Sequence, residues 1–211
     1  KVNLPKLPSL DWDNTFVLKN VHDADRMKEF IKRKSPKKAL IVGSGFIGLE
    51  ILDNLHKLNI ETTILELSKR LMPHLDPDMS VYLENYLKKK GVNFILGEEL
   101  VEVKGNKAIT CGKKELEFDM LIFAIGARPN TDLVKDLPIK LGAHGGIIVN
   151  ENLESSISDI YAVETCIYIE KDGEKYVYRC LEKFDECREE IIKNTRFYRE
   201  ISFCKTEEFN I

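Results

Sequence analysis

The sequence predicts an α/β fold in three layers: a parallel sheet with helices on one face and an antiparallel meander on the other. Three observations carry this expectation. Ala39-Leu40-Ile41-Val42 is a continuous apolar run, as expected of a strand buried on both faces of a parallel sheet. It runs directly into Gly43-Ser44-Gly45-Phe46-Ile47-Gly48, then into a helical pattern with Ile47, Ile51, Leu55 and Leu58 on one face, then into a second strand, Thr62-Thr63-Ile64-Leu65, that ends at Glu66; the whole is a βαβ unit. From Leu100 to Phe118 the period changes to apolar/polar alternation around Gly105-Asn106 and Gly112-Lys113, the pattern of a three-stranded meander.

The other elements follow in chain order. Residues 1–35 form a lead-in with Pro5, Pro8 and Trp12, a short strand at Thr15-Phe16-Val17-Leu18, and a helix. Asp23 is the expected N-cap of that helix. Met27, Phe30 and Ile31 form its apolar face, and Lys32, Arg33 and Lys34 complement the dipole at its end. Ser35-Pro36 stops it. Residues 36–150 form the main domain. Within it Asp76-Pro77 opens a helix as N-cap and N1, with Met79, Leu83, Tyr86 and Leu87 as its stripe and Gly91 at its stop. Asn93 to Leu96 is a third strand, and the apolar run Met120 to Ala124 is a fourth, ending in Gly126-Ala127-Arg128-Pro129-Asn130. Ile147 to Val149 and Ile160 to Val163 are strand-like. Residues 151–169 are a return segment, and 170–211 a charge-dense tail in which Phe184, Ile191 and Tyr198 lie at helix-compatible spacing.

Composition narrows the function classes. The 211 residues carry 32 Lys+Arg against 35 Asp+Glu, a formal charge of −3, which argues against a nucleic-acid binder or a polybasic membrane binder. No apolar run approaches the roughly 18 residues of a membrane span, and no signal peptide opens the chain. The five cysteines, Cys111, Cys166, Cys180, Cys187 and Cys204, are odd in number and lack C-x-x-C or zinc-ligand spacing. Reduced thiols in a cytoplasmic protein are expected. A metal or redox cluster of the last four is the alternative. His22, His56, His74 and His144 are scattered.

The glycine-rich turn has chemistry in view. A buried strand precedes G-x-G-x-x-G, a helix follows, and an acid closes the next strand about 20 residues past the middle glycine, which is the Rossmann dinucleotide fingerprint in its proper context. Gly43 permits the tight turn, Gly45 lets backbone approach a pyrophosphate, and Gly48 lets helix and strand pack closely. Ser44, Phe46 and Ile47 complete the turn, and the helix N-terminus offers free N–H groups to phosphates. Glu66 is placed to accept both adenosine ribose hydroxyls and so favours NAD(H). Leu67 lies beside it, and Lys69 and Arg70, just beyond, keep NADP(H) open as the second choice. A turn used only for packing is the plain alternative.

Gly43-Ser44-Gly45-Phe46-Ile47-Gly48-Leu49-Glu50 resembles the G-x-G-[YF]-I-G-x-E motif of the pyridine nucleotide–disulfide oxidoreductases, within them the NADH oxidase, NADH peroxidase and coenzyme A-disulfide reductase branch. Leu71-Met72-Pro73 with Leu75-Asp76-Pro77-Asp78-Met79, then Phe123-Ala124-Ile125-Gly126-Ala127-Arg128-Pro129-Asn130, then Gly145-Gly146-Ile147-Ile148-Val149-Asn150 followed by Ile160-Tyr161-Ala162-Val163, resemble further family segments in the family's order, over roughly residues 5–168. The resemblance implies an NAD(P)-binding domain that hands hydride to FAD, and a catalytic redox cysteine outside this chain. It implies that Phe46 gates the nicotinamide pocket, that Glu50 lies near the nicotinamide–flavin contact, and that Ala124, Ile125 and Gly126 border the cofactor. Without the resemblance Phe46 reads as a core aromatic and Glu50 as a solvated helix charge. The partners implied are NADH and the flavin domain of the same protein, and a homodimer is compatible with the family.

Departures from the family accompany the matches. The flavin domain's own glycine-rich fold is not in the chain, nor is the family's C-terminal dimerisation domain, and Lys1 falls where the flavin domain would hand over. Glu164 and Thr165, followed by Cys166, stand where the family has Gly-Asp against the flavin. The expected function is the NAD(H)-binding portion of a flavin-dependent oxidoreductase that reduces a disulfide, peroxide or oxygen, inactive by itself. The rival is a flavin-free NADH sensor or partner-binding module.

Overall fold

A computed structural model describes residues 2–5, 7, 10–142, 145–150 and 152–163, and the backbone of residues 167–171 and 174–176. The chain divides into two compact units, Val2–Ala127 and a second beginning at Arg128. The division falls earlier than the boundary at 150 expected from sequence, because residues beyond 127 gather around a small core of their own, Ile139, Ile147, Val149 and Leu153.

The first unit is built on five parallel strands. They are β1 (Thr15–Val17), β2 (Lys38–Val42), β3 (Glu61–Glu66), β4 (Asn93–Leu96) and β8 (Met120–Phe123), in the order β1-β8-β2-β3-β4. The register pairs Ile41 with Ile64 on one side and with Ile122 on the other. β2 is thus the strand from which the chain first winds one way, to β3 and β4, and later returns on the other side through β8. Strand order reverses there, at the C-terminal end of β2, and such a switch point opens a crevice for ligands. The lead-in strand β1 belongs to this sheet, pairing with β8 through Thr15–Leu121 and Val17–Phe123.

Three helices cover one face: α1 (Val21–Lys34), α2 (Phe46–Lys57) and α3 (Pro77–Lys89). Their core joins Phe16, Ala39, Ile41, Ile64, Met120 and Ile122 of the sheet to Met27, Phe30, Ile51, Leu52, Leu55 and Leu87 of the helices. The alternate residues of the same strands, Leu40, Val42, Leu65, Leu121 and Phe123, pack against the meander through Val103, Ala108 and Phe118. Period-2 alternation divides each buried strand between two cores. The meander is β5 (Leu100–Lys104), β6 (Lys107–Thr110) and β7 (Glu115–Glu117), antiparallel throughout. The three layers expected from sequence are present.

Several local expectations are corrected. Asn20, not Asp23, is the N-cap of α1: the Asn20 side chain accepts from the Asp23 N–H at 3.0 Å, and the Asp23 carboxylate accepts from the Asn20 N–H at 3.2 Å. Asp23 is the N3 half of a capping box. On α2 the buried stripe is Gly48, Ile51, Leu52 and Leu55, while Ile47 and Leu58 stand half exposed. The close approach of Gly48 to Gly43 sets that rotation. On α3 the buried positions are Ser80 and Leu87, with Leu83 partly buried against the core, whereas Met79 and Tyr86 are half exposed. Ser80 is tolerated inside because its hydroxyl reaches the Met72 carbonyl at 3.5 Å.

In the second unit β9 (Ile147–Val149) pairs in parallel with β10 (Ile167–Lys171), which pairs antiparallel with β11 (Glu174–Tyr176). The start of the tail expected to be helical is therefore extended; Leu181 to Ile201 lie outside the described residues. Ile160 to Val163 form only a bridge between Glu154 and Tyr161. A turn around Asp159, at φ 62°, takes the backbone groups there, as in Ser155 N–H to Ile160 C=O at 2.7 Å.

Candidate functional site

The fingerprint residues converge at the C-terminal ends of β2, β3 and β8. Gly43 follows β2 directly with φ 103°, a value L-residues rarely adopt, and its N–H donates to the Leu65 carbonyl at 2.8 Å. A Cβ there would lie 2.5 Å from the Ala124 carbonyl oxygen. A Cβ on Gly48 would collide with the Gly43 carbonyl. These two glycines are demanded by packing. Gly45 differs: a Cβ on it would meet nothing within 4 Å, so the space above its Cα lies open to a ligand.

Gly45 is also the N-cap of α2. No side chain caps that helix and no acidic residue stands in its first turn, so the positive end of its dipole meets no carboxylate of its own helix. Ready N–H donors, partial positive charge and open space fit the pyrophosphate of a dinucleotide. Phe46 and Glu50 lie four residues apart on α2 and share a face; both are exposed, Phe46 to 70%. Phe46 is therefore not a core aromatic. Ala124 and Ile125 are half-buried at the end of β8, and Gly126 is exposed with φ 84°. The Gly126 carbonyl accepts from the Asn3 N–H at 3.0 Å.

Glu66, only 8% exposed, is turned inward. Its Oε2 accepts the Ser44 N–H at 2.8 Å and the Ser44 hydroxyl at 2.7 Å, and its Oε1 accepts the Ser68 N–H at 2.7 Å. The acid at the end of β3 thereby fastens the glycine-rich turn to the strand. This contact was not foreseen from sequence, although Ser at the second position of the turn was its signal. Leu67 is exposed. Lys69 is exposed too, while Arg70 donates to the Pro73 carbonyl at 2.9 Å and is partly withdrawn into its own loop.

At the other end of the sheet Lys38, Glu61, Lys107 and Glu117 line an open groove. Its charges pair with one another, Lys38 with Glu117 at 3.6 Å and Lys107 with Glu115 at 2.9 Å, which leaves little field for an anion. Among the described residues no group of three His, Cys, Asp or Glu is placed to hold a metal ion. Cys111 is exposed; Cys166, Cys180, Cys187 and Cys204, with Glu164 and Thr165, lie outside the described residues. No described helix is long and apolar enough to cross a membrane.

Comparison with known proteins finds relatives over most of this chain. Coenzyme A disulfide reductase from Staphylococcus aureus (strain bovine RF122 / ET3-1) is 34% identical over 151 residues, which is 72% of this chain and 34% of that protein. Among solved structures, reduced Bacillus anthracis CoADR-RHD superposes with a TM-score of 0.77 at 30% identity, over 85% of this chain and 33% of that one. The water-forming NADH oxidase from Lactobacillus brevis, solved with NADH bound, superposes with a TM-score of 0.79 at 26% identity, over 91% of this chain and 43% of that one. The chain thus spans about a third of the length of the curated relative it matches. The profile described as pyridine nucleotide-disulphide oxidoreductase matches residues 1–183, and the chain belongs to that family.

Proposed function

We propose that this chain is the NAD(H)-binding portion of a flavin-dependent oxidoreductase, whose overall reaction moves hydride from NADH to FAD and on to a disulfide, peroxide or oxygen. The observation that carries the reading is the open space above Gly45 at the uncapped N-terminus of α2, on the switch point beside β2. When bound, the two cofactors supply the hydride donor and acceptor; the chain supplies position. The N–H groups of the first turn of α2 hold the pyrophosphate, and Glu66 receives the adenosine ribose. Phe46 and Glu50 on their shared face, with Ala124 to Gly126 across from α2, flank the nicotinamide end. The carboxylate of Glu66 disfavours a 2′-phosphate, and the retraction of Arg70 toward Pro73 removes one cation that would welcome it, so NADH is favoured over NADPH.

Titration of the 211-residue chain with NADH by calorimetry tests the reading. Saturable, stoichiometric binding, tighter for NADH than for NADPH, is the expected result. Absence of binding to either dinucleotide overturns it.

A further inference from the structure

Ser44 has no exposed surface, yet its hydroxyl both donates and accepts a hydrogen bond. It donates to Glu66 Oε2 at 2.7 Å and accepts from the Met72 N–H at 3.0 Å. One small side chain therefore joins three segments: the glycine-rich turn, the end of β3, and the loop leading to α3. Met72 is a buried non-glycine residue at φ 43°, a region that costs such residues free energy and persists only where neighbours enforce it. The Ser44 hydroxyl and the bond from the Leu75 N–H to the Met72 carbonyl at 2.8 Å are part of that enforcement.

The lone pairs of Glu66 can be followed one by one. A carboxylate offers about four acceptor sites. Ser44 takes two on Oε2, through its N–H and its hydroxyl, and the Ser68 N–H takes one on Oε1. What remains is one site, on Oε1. We propose that Ser44 is the positioning residue for the adenosine-side acid: it locks Glu66 Oε2 into the glycine-rich turn and leaves Oε1 as the acceptor for a single ribose hydroxyl. Preference for NADH over NADPH is then set by Ser44 acting through Glu66, and not by Glu66 alone. The inference rests on the NAD(H)-binding reading above. It replaces the expectation that Glu66 accepts both ribose hydroxyls.

The test is a double-mutant cycle on the full chain, with Ser44→Ala, Glu66→Gln and the pair, reading calorimetric Kd values for NADH and NADPH. Losing one hydrogen bond to a charged group is worth about tenfold in affinity. Ser44→Ala is therefore expected to weaken NADH about tenfold and NADPH less than threefold, and to leave the NADH:NADPH ratio unchanged when Glu66 is already Gln. A merely structural role would weaken both dinucleotides by one factor, and that result overturns the proposal. So does a change of ratio that persists in the Glu66→Gln background. Where Ser44→Ala does not fold, Ser44→Cys replaces it with a weaker donor, and an unmoved ratio there is equally fatal. A wild-type chain that binds neither dinucleotide overturns the NAD(H) reading itself, whereas a wild-type chain that binds NADH with an unmoved ratio in the variants overturns only the role of Ser44.

Discussion

Glu66 and Ser44, 22 residues apart, share two hydrogen bonds to a single carboxylate oxygen, at 2.8 and 2.7 Å. The pair joins the glycine-rich turn to the end of β3, the two parts of the proposed dinucleotide site. A change at either residue is therefore felt at both.

Glu66→Ala is the first consequence. Removing the carboxylate strands the buried Ser44 N–H and hydroxyl, and an unsatisfied buried donor costs about 1–3 kcal/mol. The variant should lose about 2–6 kcal/mol of stability by that same penalty applied to both donors, and should lose more affinity for NADH than for NADPH. Glu66→Gln keeps an acceptor for the turn and removes the charge, so it should lose less stability and gain NADPH affinity relative to NADH. Urea unfolding with parallel calorimetry separates the two. A Glu66→Ala variant of wild-type stability would show that the carboxylate does not fasten the turn.

The three glycines of the turn should fail in different ways. Gly45→Ala places its methyl in open space and should cost no more than about 1 kcal/mol, the disadvantage of alanine against glycine at an N-cap, while NADH affinity falls at least tenfold. Gly48→Ala drives a methyl into the Gly43 carbonyl. Gly43→Ala combines a contact of 2.5 Å to the Ala124 oxygen with φ 103°. Both should lower the thermal midpoint before any ligand is added. If Gly45→Ala binds NADH normally, the pyrophosphate does not cross above Gly45.

The unit β2–turn–α2–β3 was legible in the sequence because its determinants are local: an apolar run, three glycines with separate steric duties, and an acid at the strand end. The two-sided sheet was legible as well, since the apolar runs at 39–42 and 120–123 have no polar face. What escaped was phase and long-range contact. Periodicity places Ile47 and Met79 on apolar stripes, but the rotation of α2 is set by Gly48 against Gly43, and that of α3 by Ser80 and Leu87 facing the core. The inward turn of Glu66 depends on a serine hydroxyl 22 residues away, and no spacing rule contains it. The pairing of β1 with β8 joins residues more than 100 positions apart.

The capping box of α1 predicts a modest, local loss. Asn20→Ala removes the acceptor for the Asp23 N–H, and Asp23→Ala removes the acceptor for the Lys19 and Asn20 N–H groups. Each should destabilise by about 1 kcal/mol. The double variant should lose less than the sum, because the two halves support one another. Additive losses in chemical denaturation would show that the residues act separately.

Glu98 gives the prediction in pH. The Thr110 hydroxyl, the Gly112 N–H, the Lys114 ammonium and, more weakly, the Cys111 thiol hold its carboxyl down from 4.5 to about 2. Lys114 Nζ lies 3.2 Å away and the Gly112 N–H donates at 2.9 Å, so the acid ties the loop after β4 to the turn between β6 and β7. A carboxyl more acidic in the folded chain than in the unfolded one stabilises the fold above the unfolded value, and that contribution is lost as pH falls through the folded one. Glu98→Gln should therefore be less stable than wild type near neutral pH, with the difference shrinking from about 4.5 downward and gone near 2. Gly112→Ala, whose methyl would strike the Glu98 carboxylate, should reproduce the effect without touching the acid. Urea midpoints measured down the acid limb decide it: a difference between wild type and Glu98→Gln that stays constant with pH would mean that Glu98 contributes shape and not charge.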